Sequence, residues 1–260
     1  MFPGLQRRRH RCGRGRFLRA GWAAVALILA GAATAGAAED PFAERRAALM
    51  RSIERHAAAV YPVAGRTAMA PQVLAALEET PRHEFVLPKL VARAYANRPL
   101  PIGFGQTISQ PFIVAFMTDL LEPAPDDIVL EVGTGSGYQA AVLAPLVRRL
   151  CTIEIVEPLG RSAAARLARL GYDNVEVRIG DGYNGWEACG PFDSIIVTAA
   201  AGHVPPPLVR QLKPGGRMVI PVGGPFAPQQ LVLIEKRADG QVTTRQLMLV
   251  RFVPLRRSAK

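Results

Sequence analysis

Apolar positions recur at helical spacing from residue 41 to 79. Ala47, Ile53 and Val60 stand among charged residues, Val73, Leu74 and Leu77 follow, and Pro62 and Pro71 divide the region. Residues 100–111 are dense in Gly and Pro yet keep apolar Ile102, Phe104 and Ile108, the composition of an ordered but adjustable loop. Pro111 then opens a helix that runs to residue 121, a favoured place for a residue lacking an N–H. Beyond it, short apolar runs alternate with helical patterns. Strands are predicted at 128–132, 150–154, 175–179, 193–198 and 218–222. Helices are predicted at 138–150, 161–170 and 205–212; Pro145 should kink the first, and Gly171 closes the second. Lys213-Pro214-Gly215-Gly216 reads as a turn, and residues 230–236 and 246–253 as a terminal antiparallel hairpin. The alternation predicts an α/β fold: a doubly wound, mostly parallel sheet with a C-terminal antiparallel hairpin and an N-terminal helical extension. Its ligand should lie beyond the carboxyl ends of the strands.

The stretch that organises this pattern is Glu131-Val132-Gly133-Thr134-Gly135-Ser136-Gly137-Tyr138, between a strand and a helix. Glycines at every second position let the backbone turn tightly against a bulky ligand, and the helix beyond points its positive end at the same spot. A dinucleotide fingerprint needs G-x-G-x-x-G, and counting from Gly133 its last place falls on Tyr138, which disfavours a nicotinamide oxidoreductase. E-x-G-x-G-x-G resembles instead the first motif of class I methyltransferases, which bind S-adenosylmethionine on a Rossmann-like sheet. Glu154, at the end of the second strand and 21 residues past Gly133, stands where either family places a ribose-binding acid.

Charge changes the picture only at the N-terminus. The formal charge is +11, but seven arginines precede residue 20 and no acid precedes Glu39; the rest carries 25 basic and 21 acidic residues, net +4. No basic stripe interleaved with aromatics appears, so no nucleic-acid partner is expected. Residues 1–38 have the parts of an export signal: an arginine-rich start, the apolar segment 22–33, and Ala35-Gly36-Ala37-Ala38 before Glu39. They are read as a signal peptide or N-terminal membrane anchor, with residues 39–260 as one catalytic domain and membrane contact only through an uncleaved leader. Cys151 falls in a predicted strand and reads as a buried free thiol, and no cluster at metal-ligand spacing accompanies it or Cys189, so no metal is expected.

A more specific resemblance rests on Gly105-Gln106-Thr107-Ile108-Ser109-Gln110-Pro111, with Pro81-Arg82, Phe85-Val86, the glycine motif, Gly180-Asp181-Gly182, Pro191-Phe192-Asp193, Gln211-Leu212-Lys213-Pro214-Gly215-Gly216-Arg217 and Ile220-Pro221-Val222-Gly223. Together these resemble the protein-L-isoaspartate O-methyltransferases over residues 40–255. The resemblance implies methyl transfer from S-adenosylmethionine to the free α-carboxylate of L-isoaspartyl residues, and the β-carboxylate of D-aspartyl residues, in damaged proteins. The ester then closes to a succinimide, whose hydrolysis restores some normal aspartate. Such a carboxylate, with a pKa near 4, is already ionised at pH 7. The protein must supply alignment and removal of water rather than a strong base.

Carried over by motif, Ser109 stands at the reactive centre, with Thr107 and Ile108 beside cofactor and substrate. Gly133, Thr134 and Gly135 accommodate the methionine portion of the cofactor, Glu154 accepts the ribose hydroxyls, and Asp181 with Gly182 lies at the adenine. Read alone, Ser109 is equally a helix-start residue before Pro111, Asp181 a turn residue and Glu154 a solvated strand end. The expected partners are isoaspartyl proteins or peptides, bound by a monomer. The alternatives are a class I methyltransferase with another acceptor and a non-catalytic S-adenosylmethionine-binding module. The leader points across a membrane, whereas the family's usual compartment and the cofactor's source are cytoplasmic.

Overall fold

The computed structural model describes residues 40–62, 65–224 and 227–258. The expected leader therefore lies outside the described residues. Among the described residues no helix is long and apolar enough to cross a membrane.

Two helices, α1 (Ala43–Val60) and α2 (Pro71–Glu79), come first. The 100–111 stretch is not a plain loop but a small hairpin, β1 (Leu100–Gly103) with β2 (Gln106–Ile108). Its turn needs left-handed backbone at Gly103, Phe104 and Gly105, a local demand that the Gly and Pro content signalled without revealing the pairing. Helix α3 (Pro111–Leu121) follows, with all eleven residues buried. A helix apolar on every side needs neighbours on every side, and α3 has them in α1, α2 and the sheet. Its one acid, Asp119, accepts hydrogen bonds from the Tyr61 hydroxyl (2.7 Å) and the Ala70 amide (2.8 Å), which fastens the N-terminal helices to the domain.

The remaining chain alternates β3 (Ile128–Val132), α4 (Tyr138–Leu143), β4 (Arg149–Glu154), α5 (Glu157–Arg169), β5 (Val175–Ile179), β6 (Phe192–Val197), α6 (Pro206–Gln211), β7 (Leu212–Val222), β8 (Gln229–Lys236) and β9 (Val242–Val250). The strands form one sheet in the order β5-β4-β3-β6-β7-β8-β9. Pairing is parallel from β5 to β7 and antiparallel for β8 and β9, as the pattern predicts. Side chains alternate between two apolar clusters. Val129, Leu231 and Leu233 join the cluster beneath α1 to α5, whereas Leu130, Val232 and Ile234 face the other, beneath α6.

Three expectations are corrected here. The helix predicted over 138–150 stops at Leu143, and Ala144–Leu146 forms a single 3₁₀ turn, because Pro145 cannot continue the backbone ladder. The short helix that remains contributes little dipole. The Lys213–Gly216 turn is a bulge inside β7, where Gly215 has φ +84° and the register against β6 shifts. Cys151 is not a free thiol but is disulfide-bonded to Cys189, which lies before β6. Their Cα atoms are 6.7 Å apart, an adjacency made by the crossover from β5 and invisible in their separation of 38 residues. Among the described residues, Cys151, Cys189 and exposed Glu176 form the one trio close enough to share a metal ion, and the disulfide removes its thiolates.

Candidate active site

A cavity opens at the carboxyl ends of β3, β4 and β6. The glycine turn forms its floor. Gly133 adopts φ +100°, and its amide and that of Thr134 donate to the Ile153 carbonyl (2.8 and 3.2 Å). Thr198, just past β6, donates its hydroxyl to the Gly133 carbonyl at 2.6 Å, and a Cβ at position 133 would sit 2.5 Å from that hydroxyl oxygen. Only glycine fits there. Gly135, at φ +55°, donates its amide to Glu154 Oε2 at 2.7 Å, and Glu154 Oε1 accepts the Val156 amide at 2.8 Å. One carboxylate thus joins the turn to the start of α5, and each of its oxygens keeps a further acceptor direction.

Below the floor lies Glu131, fully buried yet lining the cavity. Its Oε2 accepts the Thr152 hydroxyl at 2.6 Å, and Thr134 donates to Thr152 at 2.6 Å. Its Oε1 has no partner among the described residues. Burial pushes the carboxyl up to about 8; the Thr152 hydrogen bond opposes the rise and the charge of Glu154 adds to it.

The opposite wall comes from distant parts of the chain. Gln106, Thr107, Ile108 and Ser109 line it from the β1–β2 hairpin, and residues 253–256 line it from beyond β9. Arg256 donates to the Phe104 carbonyl at 3.1 Å, so the two segments are joined. A second cleft of about 410 Å³ adjoins the first, bounded by Pro99, Gln110, Ile113, Met248, Leu249 and Phe252 among others. The two spaces share Thr107, Ser109, Thr198 and Val253. Leu249, which lines the cleft, and Phe104, in the β1–β2 turn, leave large apolar side chains exposed (62% and 57%).

Of the residues singled out in the sequence, Thr107, Ile108, Ser109, Gly133, Thr134, Gly135, Glu154 and Gly182 all line the first cavity. Asp181 does not. Its carboxylate accepts from Arg257 Nε (2.9 Å) and from the amides of Ser258 (3.2 Å) and Tyr183 (3.0 Å). Burial opposes ionisation of Asp181, but Arg257 and the two amides outweigh it and hold the carboxyl below its usual range. Glu131, Tyr138, Gln139 and residues 253–256 line the cavity without having been assigned a role from sequence. An acid inside the apolar run of β3 was the available signal for Glu131; nothing local marked the C-terminal segment.

Comparison with known proteins decides what this arrangement belongs to. The family model described as protein-L-isoaspartate(D-aspartate) O-methyltransferase matches residues 62–260. The chain belongs to that family. A protein-L-isoaspartate O-methyltransferase 2 from Syntrophobacter fumaroxidans is 59% identical over 229 residues, covering 88% of this chain and 93% of the relative. One from Polaromonas sp. is 64% identical over 191 residues, or 74% and 90% of the two chains. A solved protein-L-isoaspartate O-methyltransferase superposes with a TM-score of 0.70 at 27% identity, covering 80% of this chain and 65% of that one. A Plasmodium falciparum chain solved in complex with S-adenosyl-L-homocysteine shares the fold, with a TM-score of 0.66 at 23% identity over 81% of this chain and 98% of that one.

The matched span of the protein-L-isoaspartate O-methyltransferase family contains every residue that lines the cavity and the cleft. It begins after α1, so the first helix and the expected leader lie outside it.

Proposed function

We propose that this chain transfers a methyl group from S-adenosylmethionine to the free α-carboxylate of L-isoaspartyl residues, and to the β-carboxylate of D-aspartyl residues, in damaged proteins. The observation that carries the proposal is the meeting of two spaces at Thr107, Ser109, Thr198 and Val253. A donor on the sheet side and a peptide carboxylate in the adjoining cleft can touch there and nowhere else along the two linings. Family membership fixes the class of reaction for which such a junction is suited.

The cavity has chemistry that fits the donor. Glu131 Oε1 is a buried acceptor without a partner, and a cationic amine on the ligand would complete it. Glu154 retains acceptor directions for paired hydroxyls, and the glycine turn leaves no Cβ on the floor at positions 133 and 135. S-adenosylmethionine, when bound, supplies a methyl carbon made electrophilic by a sulfonium. The remaining work falls to the chain. An ionised carboxylate needs orientation and dehydration, and the Ser109 hydroxyl and neighbouring amides are donors of the required kind. Alignment of two reactants is worth about 7–11 kcal/mol in favourable cases. A ligand donor at Asp181 would compete with Arg257 and Ser258 for Oδ2, whereas Oδ1, which accepts the Tyr183 amide, keeps a further acceptor direction.

We read residues 39–260 as the catalytic domain, acting as a monomer on protein or peptide substrates, with residues 1–38 as leader or anchor. The mild net charge of +4 beyond residue 38 supports a domain without a nucleic-acid partner. The test uses the full chain with methyl-labelled S-adenosylmethionine and two peptides that differ only in isoaspartate versus aspartate. Label should enter the isoaspartyl peptide alone, as a base-labile ester. Cofactor binding with transfer to neither peptide would leave another acceptor or a binding-only domain.

A further inference from the structure

Arg82 is among the largest side chains fully buried in the described residues, with 0% exposure. A buried guanidinium is ordinarily matched by a carboxylate, because an unpaired charge is costly to desolvate. Here its hydrogen-bond partners are two main-chain carbonyls: Nε donates to Ala94 (2.9 Å) and Nη2 donates to Ser109 (2.8 Å). Among the described residues Nη1 has no hydrogen-bond partner, and the guanidinium carbon lies 4.6 Å from the centre of the Tyr138 ring. Neutral carbonyls can be satisfied by less costly donors, so the retained charge calls for a reason beyond packing.

The partners supply one. Nε and Nη2 form one edge of a rigid planar fork, so both bonds are made in a single orientation. One bond ends on the peptide group of Ser109, between β2 and α3, where both spaces of the site meet. The face of the same group lies against Tyr138, which follows Gly137 and lines the donor cavity. Resting on the methyl-transfer reading above, we infer that Arg82 is a positioning residue: it orients the Ser109 peptide and ties the acceptor loop to the glycine turn. It touches neither reactant. It acts by fixing how far, and at what angle, Ser109 stands from the donor wall.

A lysine can reach one carbonyl but cannot clamp two from one plane. Arg82→Lys should therefore lower kcat by on the order of 100-fold, the scale of small misplacements at a reacting centre. Affinity for S-adenosylhomocysteine in equilibrium dialysis should stay within about threefold. Arg82→Met should lose at least as much kcat. A kcat for Arg82→Lys close to wild type, or a loss of kcat matched by an equal loss of cofactor affinity, would overturn the role. Should both variants fail to fold, the bond can be weakened from its other end. Replacing the peptide link between Ser109 and Gln110 by an ester makes the Ser109 carbonyl a poorer acceptor and leaves Arg82 and the core in place. That substitution should reduce kcat by about tenfold with cofactor affinity retained; unchanged kcat there also overturns the role. If the wild-type chain labels neither peptide, the methyl-transfer reading fails and the positioning role falls with it. Wild-type transfer with unaffected variants removes the positioning role alone.

Discussion

The two walls of the site are built in opposite ways. The wall proposed to hold the donor is short-range and tightly bonded: Gly133, Thr134 and Gly135 are held by Ile153 and Glu154 of the neighbouring strand, and Thr198 closes the turn from a third. The acceptor wall is assembled from a hairpin near residue 104 and a segment near residue 255, and it leaves Phe104 and Leu249 exposed. A cofactor of constant shape suits the first wall. Damaged proteins of varied sequence suit the second, where few fixed contacts surround one fixed point, Ser109. Rigidity is placed where the ligand never changes.

The largest test of this contrast lies beneath the donor wall. The Glu131 carboxyl is raised from 4.5 to about 8 in the folded chain, so folding favours its protonated form. The associated stability is full below pH 4.5 and is lost as pH rises through about 8, up to a total of about 5 kcal/mol. Urea unfolding at pH 5.5 and 8.5 should show about 3 kcal/mol of that decline, and Glu131→Gln should reduce it. A cationic ligand group beside Glu131 would favour its ionised form, so cofactor binding near pH 7 should release a proton, seen as a binding enthalpy that depends on the buffer.

Next is Gly133→Ala, which places a Cβ against the Thr198 hydroxyl at φ +100°. A cost of about 3 kcal/mol is expected, read as a lower unfolding midpoint together with weaker cofactor binding. A variant with wild-type affinity would mean that the floor is not rigid. Ser109→Ala should remove about 2 kcal/mol from the transition state, roughly 30-fold in kcat, with cofactor affinity nearly unchanged. The smallest effect belongs to the acceptor side. Arg257→Ala breaks a half-exposed ion pair worth about 0.5–1 kcal/mol and frees Asp181. Cofactor affinity should rise a few-fold; a fall would show that Arg257 belongs to the binding site rather than competing with it.

The same contrast separates what was legible in the chain from what was not. The glycine wall of the cavity reads directly, because a strand, a glycine turn and an acid at the end of the next strand are local patterns in fixed order. Eight of the nine residues singled out line one cavity. Asp181 falls outside, since its partner Arg257 lies 76 residues away and no spacing rule couples them. Apolar periodicity continues past Pro145, where the backbone cannot follow, so α4 is shorter than its pattern. The β1–β2 hairpin was hidden by the residues that make its turn, and the Cys151–Cys189 bond by the crossover between its halves.

By itself, then, the sequence determined the order of strands and helices, the glycine floor and the block around Ser109, because backbone preference and burial periodicity act over a few residues. Only the tertiary structure decided that Glu131 would be buried without a partner for one oxygen, that residues 253–256 would complete the far wall, and that Arg82 would stand behind Ser109. Those depend on which distant side chains the packed sheet brings within hydrogen-bond reach.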